Sequence, residues 1–326
     1  TQDTSTIEFP TRVPLYEFQK KACQKAIQKP SYALFLEMGL GKTAVSIAIA
    51  DYWRKKKAID KVVIACPLSV LYNWENEINK FSNIYHQIYI ARGHKKSSKI
   101  KEFEVSNQYS FLLINYDIIT QKLPVDSTTM LILDESTRIK NPQAKRSKKA
   151  LNLSEKTRYK LILSGSPITN TLLDIWAQWY IIDGGEAFGD SYWRFRREYF
   201  APDYMGWNWL PKEESLVYIK NVIESQSITI KKADALDLPP KIYETRSAEL
   251  SKDTQKLYDA MAERLYFQLE NDDVTATIAA TKVMKLMEIT SGFIKSDRGE
   301  IHELDSPKMD LIKELLEDMN VQKNKV

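Results

Sequence analysis

The sequence predicts an α/β fold in which a parallel β-sheet is flanked by helices. Between about residues 32 and 164, short apolar runs alternate with helical or polar stretches, which is the pattern of repeated strand–helix units. Each run is apolar at nearly every position, as expected of strands that are buried on both faces. The predicted strands are residues 33–36, 62–65, 111–114, 130–133 and 161–163.

The remainder of the chain predicts a helical region. After about residue 170, β-like runs become rare and amphipathic helical patterns dominate. Ser251 is expected to cap a helix in which apolar residues recur every four positions, and a second helix is predicted from Val274 towards Gly292. A third begins at Ser306, because Pro307 suits the first helical position.

Composition excludes several protein classes. The length of 326 residues suggests about two compact units, and the formal charge of +4 is too small to indicate nucleic acid by itself. Cys23 and Cys66 are the only cysteines, too few for a disulfide framework or a four-thiolate zinc site. No run approaches the roughly 18 to 20 apolar residues that cross a bilayer. We therefore expect an intracellular protein without a membrane partner, in the cytoplasm or nucleoid if its source is bacterial or a phage.

A glycine-rich loop follows the first predicted strand and precedes a helical stretch. Its sequence is Glu37-Met38-Gly39-Leu40-Gly41-Lys42-Thr43. Backbone N–H groups of such a loop converge on phosphate, the lysine reaches the β and γ phosphates, and the hydroxyl binds Mg²⁺. The strict pattern GxxxxGK[ST] has glycine where Leu36 stands. Because strand, loop and helix occur in the required order, we predict a nucleotide site at residues 38–43, with Thr43 as a magnesium ligand.

An acidic pair follows the fourth predicted strand. Asp134 and Glu135 are placed at the carboxyl edge of the sheet, where the phosphate loop also opens. Asp134 is expected to hold magnesium, directly or through water, and Glu135 to orient and deprotonate the attacking water. An acidic pair after a strand is more often a helix N-cap, but the phosphate loop upstream favours the catalytic interpretation. The predicted catalytic residues are Glu135, Asp134 and Lys42.

Six ordered blocks of the sequence resemble the helicase-like ATPases of superfamily two, and more narrowly the Swi/Snf-type DNA translocases. The resemblance runs from about Leu15 to the end of the chain and implies a RecA-like lobe that uses ATP and Mg²⁺. The blocks are the phosphate loop, Cys66-Pro67-Leu68-Ser69-Val70-Leu71 with Asn73-Trp74, Asp134-Glu135 with Arg138-Ile139-Lys140-Asn141, Leu163-Ser164-Gly165-Ser166-Pro167-Ile168, Leu238-Pro239-Pro240-Lys241, and Gln255-Lys256-Leu257-Tyr258.

The resemblance also implies roles for residues outside the phosphate loop. Gln19 matches the segment that reads adenine in this family; the alternative is a solvated helix residue. Ser164 and Ser166 stand where threonine is common, and Thr137 replaces the histidine of the usual Asp-Glu-Ala-His. These three hydroxyl residues are expected to couple the state of the nucleotide to the DNA side of the lobe.

Two basic clusters, residues 92–101 and 138–149, contain no acidic residue. Such clusters are often only solvated surface, but the family resemblance favours a nucleic-acid surface beside them. The expected contacts are Ser69, Asn115, Tyr116, Arg138 and Lys140. The aromatic-rich segment 176–209 is expected to pack in a helical core rather than to stack on bases.

The resemblance implies a division of the chain and a missing partner lobe. We expect a RecA-like lobe at residues 1–182 and a mainly helical insertion at 183–295, in which 241–250 is an extended segment returning to the lobe. Residues 296–326 are expected to begin the connection to a second RecA-like lobe. Proteins of this superfamily close ATP between two lobes, and the arginine-bearing block of the second lobe, Gln-x-x-Gly-Arg-x-x-Arg, does not occur here. The chain alone is therefore expected to bind ATP but to hydrolyse it slowly.

The sequence thus predicts the ATP-binding lobe of a DNA-dependent ATPase that translocates on duplex DNA without sequence preference. Two alternatives stay open. One is an RNA helicase or a restriction-type translocase of the same superfamily, and the other is a nucleotide-gated DNA-binding module that needs a partner lobe. The sequence does not determine the oligomeric state.

Overall fold

The computed structural model describes residues 7–9, 11–168, 170–205, 207–235, 244–270, 276–296 and 299–321. The side chains of residues 264–270, 276–280, 282 and 319–321 are not described. The chain divides into two compact units, residues 1–239 and 240–326. The Leu-Pro-Pro segment and the first part of the predicted extended segment 241–250 lie outside the described residues, and residues 244–250 form neither helix nor strand.

The first unit is built on a seven-stranded parallel sheet with the strand order β3-β4-β2-β5-β6-β1-β9. A separate antiparallel hairpin consists of β7 and β8. The strands of this unit are β1 (Ser31–Leu36), β2 (Lys61–Cys66), β3 (Gln87–Ala91), β4 (Ser110–Asn115), β5 (Thr129–Asp134), β6 (Tyr159–Leu163), β7 (Phe200–Pro202), β8 (Trp209–Pro211) and β9 (Ser227–Ile230).

Helices cover both faces of this sheet. They are α1 (Glu17–Ala26), α2 (Lys42–Lys55), α3 (Leu71–Phe81), α4 (Lys96–Val105), α5 (Lys145–Ser154), α6 (Ile175–Asp183), α7 (Tyr192–Tyr199), α8 (Glu213–Ser225) and α9 (Lys232–Ala235). Alternate residues of each strand point to opposite faces, so the first unit has two apolar cores. Leu34 and Leu36 of β1 pack with α1, α2 and α3, whereas Ala33 and Phe35 pack with α4, α5 and α6. Each fully buried Leu, Ile or Phe contributes about 1.5 to 3 kcal/mol to folding.

The fold class predicted from the sequence is confirmed. The five predicted strands lie within β1, β2, β4, β5 and β6. Two strands of the sheet were not predicted, and these are the strands at its edges, β3 and β9. The residues of β3 are only partly buried up to Ala91, so it lacks a continuous apolar run, and the four-residue β9 lies in the region that we expected to be mainly helical.

The limits of the predicted subdomains do not follow from the contacts alone. Residues 183–235 belong to the same compact unit as the sheet, and β9 pairs directly with β1. The boundary between the units falls after residue 239. The functional division at residues 182 and 295 stays a prediction.

The second unit contains three helices and a hairpin among its described residues. They are α10 (Lys252–Glu270), α11 (Ala276–Thr290), α12 (Pro307–Val321), β10 (Phe293–Lys295) and β11 (Ile301–Glu303). Ser251 Oγ accepts a hydrogen bond from the Thr254 backbone N–H at 3.3 Å, which confirms the predicted cap of α10. Pro307 is the first residue of α12, as predicted. Val274, the predicted start of the middle helix, lies outside the described residues.

Within the part of the chain that the structure describes, we find no helix with the length and apolar character needed for a membrane span.

Candidate nucleotide-binding site

The predicted site residues follow the carboxyl ends of parallel strands, so they lie along one edge of the sheet. Leu163, the last residue of β6, is paired with Leu34 of β1 on one side and with Asp134 of β5 on the other. The phosphate loop after β1, the Ser164 loop after β6 and the acidic pair at the end of β5 are therefore neighbours at this edge.

The phosphate loop has the backbone that phosphate binding requires. Gly39 and Gly41 have φ angles of +85° and +75°, values that residues other than glycine rarely adopt. Gly41 precedes the first residue of α2, so the unpaired N–H groups of that helix begin at the loop. Lys42 Nζ donates to the Leu36 carbonyl at 3.0 Å. Leu36, which stands where the strict pattern has glycine, is fully buried as the last residue of β1.

Gln19 links α1 to the phosphate loop through hydrogen bonds. Its side chain is buried, its Oε1 accepts from the Tyr16 N–H at 3.0 Å, and its Nε2 donates to the Leu40 carbonyl at 3.0 Å. A Cβ at position 41 would lie 2.3 Å from Gln19 Nε2, so a side chain at Gly41 would displace this amide. The adenine contact predicted for Gln19 stays a prediction, beside this internal role that the sequence did not indicate.

Asp134 is held by hydrogen bonds from two directions. Trp74 Nε1 donates to its Oδ2 at 2.8 Å, and the Glu135 N–H donates to its Oδ1 at 3.0 Å. The Tyr116 hydroxyl donates to the Asp134 backbone carbonyl at 2.7 Å. Burial raises the pKa of Asp134, while the Trp74 bond and the Lys42 ammonium partly oppose that rise. The carboxyl is thus oriented and lies within the electrostatic reach of Lys42.

Glu135 occupies an unusual backbone conformation. Its φ of 51° and ψ of 58° lie in the left-handed region, at the turn between β5 and a short 3₁₀ helix, Ser136–Ile139. Burial raises the pKa of Glu135, Lys42 and Arg138 oppose the rise, and Asp134 adds to it. A carboxylate with a raised pKa is a better proton acceptor, which suits the predicted role of general base.

The oxygen donors at this edge fit a magnesium ion. Mg²⁺ is usually held by one or two carboxylates or hydroxyls together with substrate phosphates and water. Asp134 and the half-buried Thr43, in the first turn of α2, supply oxygens of this kind beside the phosphate loop. The described residues contain no group of three or more His, Cys, Asp or Glu side chains arranged to bind a metal.

Gln178 joins the acidic turn to the loop after β6, and the sequence analysis missed it. It is fully buried on α6; its Oε1 accepts from Ser136 Oγ at 2.6 Å, and its Nε2 donates to the carbonyls of Pro167 and Asp174 at 2.7 and 3.0 Å. The signal was available, because Gln178 is a polar residue within the otherwise apolar stretch 175–182. A hydrogen-bonded chain therefore runs from the acidic turn to the Ser164 loop.

The predicted coupling residues lie at this same loop and turn. Ser164 is buried and its Oγ accepts from the Ser166 N–H at 3.1 Å, while Ser166 is exposed and its Oγ donates to the Ile168 carbonyl at 3.2 Å. Thr137 is half-buried in the turn after Glu135. Between Ser164 and Ser166, a Cβ at Gly165 would lie 3.7 Å from Leu36 O and Met38 N. The Ser164 loop thus passes directly over the phosphate loop.

The residues predicted to contact nucleic acid differ in how they are presented. Ser69 and Arg138 are exposed. Lys140 pairs with Asp174 at 3.6 Å. Asn115 Nδ2 donates to the Asp117 carboxylate at 3.1 Å, while its Oδ1 is buried and has no hydrogen-bond partner among the described residues.

The side chain of Tyr116 is enclosed, and the nucleic-acid contact expected at this position stays a prediction. Its side chain is only 3% exposed, and its hydroxyl is bonded to the Asp134 carbonyl. Because the ring is enclosed and its donor is used, the side chain of Tyr116 supports the acidic turn and is not presented to a ligand. A contact from this position would have to come from the backbone.

The aromatic-rich segment divides into two parts. Trp176 and Trp179 of α6 are buried in the core, as expected. Beyond β7, however, Tyr204 and Trp207 are exposed at the end of the β7–β8 hairpin. Arg196 lies between Trp193 and Trp209, 4.5 and 4.1 Å from the two ring centroids. The expectation of a helical core thus holds for α6 and not for the hairpin.

The parallel sheet, the glycine loop at the start of α2 and the acidic pair at the end of β5 define a P-loop nucleotide-binding lobe of the RecA-like class. The chain belongs to the SNF2-related domain family, whose model matches residues 19–295. The family resemblance predicted from the ordered sequence blocks is confirmed.

Similar proteins come from a phage, an animal and an archaeon. Putative protein p41 of Acyrthosiphon pisum secondary endosymbiont phage 1 is 27% identical over 288 residues, which are 82% of this chain and 62% of that protein. The Caenorhabditis elegans homologue of SWI/SNF-related matrix-associated actin-dependent regulator of chromatin subfamily A-like protein 1 is 30% identical over 188 residues, 56% of this chain and 26% of that protein. This chain thus spans less than two thirds of either relative.

A solved structure shares the fold over nearly the whole chain. The Sulfolobus solfataricus SWI2/SNF2 ATPase core in complex with dsDNA matches with a TM-score of 0.60 and 25% identity. The match covers 97% of this chain and 67% of that one.

Proposed function

We propose that this chain is the ATP-binding lobe of a DNA-dependent ATPase that translocates on double-stranded DNA. One observation carries the proposal: the phosphate loop and the acidic pair meet at one edge of the sheet, with the Lys42 ammonium close enough to both carboxyls to affect their pKa values. Membership of the SNF2-related domain family supports it.

The chemistry follows from the residues at this edge. The backbone N–H groups of residues 39–43 and the Lys42 ammonium bind the phosphate chain of ATP. Glu135 accepts the proton of the attacking water, and its raised pKa suits that role. Thr43 and Asp134 would hold Mg²⁺, which supplies charge neutralisation at the phosphates. Trp74 and Tyr116 keep the acidic turn in position.

We expect the protein to move along duplex DNA. We also expect a second RecA-like lobe to be the partner that completes the ATP site. The archaeal relative was solved as an ATPase core with dsDNA, and this chain covers 67% of it. The candidate contacts of this lobe with DNA phosphates are Ser69 and Arg138, which are exposed, and Lys140, which pairs with Asp174. The state of the nucleotide would be transmitted to the DNA side of the lobe through the hydrogen bonds that link Ser136, Gln178 and Pro167.

An intracellular location is also proposed. Cys23 and Cys66 are both free and buried, and burial raises the pKa of the Cys66 thiol to about 12. Such thiols act as apolar core residues and are compatible with a reducing compartment.

The test uses the full-length protein with Lys42→Ala, Glu135→Gln and the control Lys55→Ala. Lys55 lies at the far end of α2, roughly 20 Å from Lys42 along the helix. We expect Lys42→Ala to lose ATP binding. Glu135→Gln should bind ATP normally while its turnover falls by about 100-fold or more. Lys55→Ala should match the wild type in both measurements.

Turnover is then measured with duplex DNA, single-stranded DNA and RNA. We expect duplex DNA to stimulate it most. Stimulation mainly by RNA would support the RNA-helicase alternative, and ATP binding without turnover under any condition would support a nucleotide-gated module. Full DNA-stimulated turnover by Glu135→Gln would contradict the assignment of the base.

A further inference from the structure

A second lysine reaches the phosphate loop from the last strand of the sheet. β9 is parallel to β1, and Ile230 is paired with Leu36, so both strands end at the same level. The Glu37 N–H donates to the Ile230 carbonyl at 3.0 Å. The Lys232 N–H donates to Glu37 Oε2 at 2.7 Å. The end of β9 and the chain that follows it are therefore hydrogen-bonded to Glu37, the first residue of the phosphate loop.

The side chain of Lys232 extends along this loop. A Cβ at Gly39 would lie 3.5 Å from Lys232 Cε and 3.7 Å from its Nζ. Gly39 lies in the exposed part of the loop, where the backbone is expected to bind phosphate. Lys232 Nζ makes no hydrogen bond or ion pair with any residue that the structure describes, whereas Lys42 Nζ is bonded to Leu36 O. The Lys232 ammonium thus stands beside the loop with its donors available.

We propose that Lys232 is a second phosphate-binding lysine, whose ammonium binds the phosphate chain of the nucleotide held by the loop. The inference rests on the proposed ATP-binding function. An ammonium is a compact point charge that forms strong, charge-assisted bonds to phosphate oxygens, and several phosphates in a row need more than one cation. Lys232 follows α8 and β9, so nucleotide binding would depend directly on the region that was expected to be only a helical insertion.

Lys231 provides a matched control. It precedes Lys232 directly and carries the same charge, but its side chain is exposed and is not among the atoms near Gly39. The variants Lys232→Met and Lys231→Met change net charge and composition in the same way. A difference between them therefore reports the position of the ammonium and not the overall charge of the lobe.

The experiment measures the affinity of the full chain for fluorescent ATP, ADP and AMP. We expect Lys232→Met to weaken ATP binding about tenfold, the loss of one hydrogen bond to a charged group, and to leave AMP binding within about twofold. Lys231→Met should bind all three nucleotides like the wild type. Lys232→Arg should restore most of the ATP affinity because it keeps the charge, and Lys232→Gln should behave like Lys232→Met.

Two results would overturn the inference. One is ATP binding by Lys232→Met and Lys232→Gln that equals that of Lys231→Met. The other is an equal loss for ATP, ADP and AMP, because Lys232 would then support the loop and not bind phosphate. If Lys42→Ala also bound ATP normally, the proposed function itself would fail, which is a different outcome. Thermal unfolding of each variant identifies a misfolded protein. If Lys232→Met is misfolded, Lys232→Arg is the variant whose ATP affinity is compared with that of Lys231→Met.

Discussion

At the scale of single residues, Trp74 shows how an acidic site residue is oriented by a distant aromatic ring. Trp74 is 1% exposed, and its indole N–H donates to Asp134 Oδ2 at 2.8 Å. A carboxyl buried without such a donor would be strongly destabilising, because burial penalises its charged form. Asn73-Trp74 is part of a family block in the sequence, but the block does not indicate a role for the indole.

Replacing Trp74 by phenylalanine should separate this hydrogen bond from ring packing. We expect Trp74→Phe to lower the free energy of unfolding by about 1 to 3 kcal/mol, since the Asp134 carboxyl loses one of its two donors while the Glu135 N–H remains. The pKa of Asp134 should rise further, because the indole N–H favours the ionised form, and nucleotide binding should require more magnesium. Urea unfolding and magnesium titrations measure the two effects.

Trp53→Phe, at a half-buried tryptophan of the same core, is the control for loss of ring packing. Trp53 packs against Tyr159, 4.7 Å away between ring centroids, and belongs to the same face of the sheet. If both variants lost the same free energy and bound magnesium and nucleotide alike, the Trp74 hydrogen bond would contribute nothing beyond packing.

At the scale of elements, α6 connects the acidic turn after β5 with the loop after β6. The connection is one buried side chain, Gln178, whose oxygen and amide hydrogens are all used. The Ser136 hydroxyl that it accepts from stands where the family's usual motif has alanine. A buried amide with every hydrogen bond made stabilises one arrangement of the three elements, because any shift leaves a polar group unpaired.

A double-mutant cycle should reveal this dependence. We expect Ser136→Ala to cost about 1 to 2 kcal/mol of unfolding free energy in the wild type, because it leaves the Gln178 oxygen buried without a donor. In a Gln178→Leu background the same change should cost close to zero. Urea unfolding of the four proteins gives the coupling energy, and purely additive losses would show that the two side chains act independently.

At the scale of the whole molecule, the predicted site residues of the nucleotide edge all belong to the first compact unit. Residues 1–239 contain the entire seven-stranded sheet, both apolar cores of that sheet, the phosphate loop and the acidic pair. Lys232 also belongs to this unit. Folding of the nucleotide edge therefore depends on contacts made within residues 1–239.

A chain ending at residue 239 should test this independence. We expect it to fold cooperatively and to bind fluorescent ATP within about twofold of the longer chain, because it keeps both cores. Circular dichroism and nucleotide titration measure the two properties, with Lys42→Ala in the shortened chain as the control for specific binding. Aggregation, or a large loss of ATP affinity, would show that residues 240–326 are needed to form the site.

Local patterns were enough to predict the centre of this protein. The buried strands, the phosphate loop and the acidic pair are each encoded by neighbouring residues, and parallel strands bring their carboxyl ends to one edge. The order of these segments along the chain predicted the fold class and the family. The edge strands were not predicted: β3 is only partly buried up to Ala91 and so lacks a continuous apolar run, and β9 has only four residues.

The sequence by itself thus determined which loop and which acidic pair are predicted to bind the phosphates and the magnesium; only the tertiary structure decided which distant contacts hold those residues in place. Trp74 lies 60 positions from Asp134, Ser136 lies 42 from Gln178, and Lys232 lies 195 from Glu37. The physical reason is that a hydrogen bond between distant segments depends on the pairing of strands and the packing of helices. Neither can be predicted from the residues around one motif.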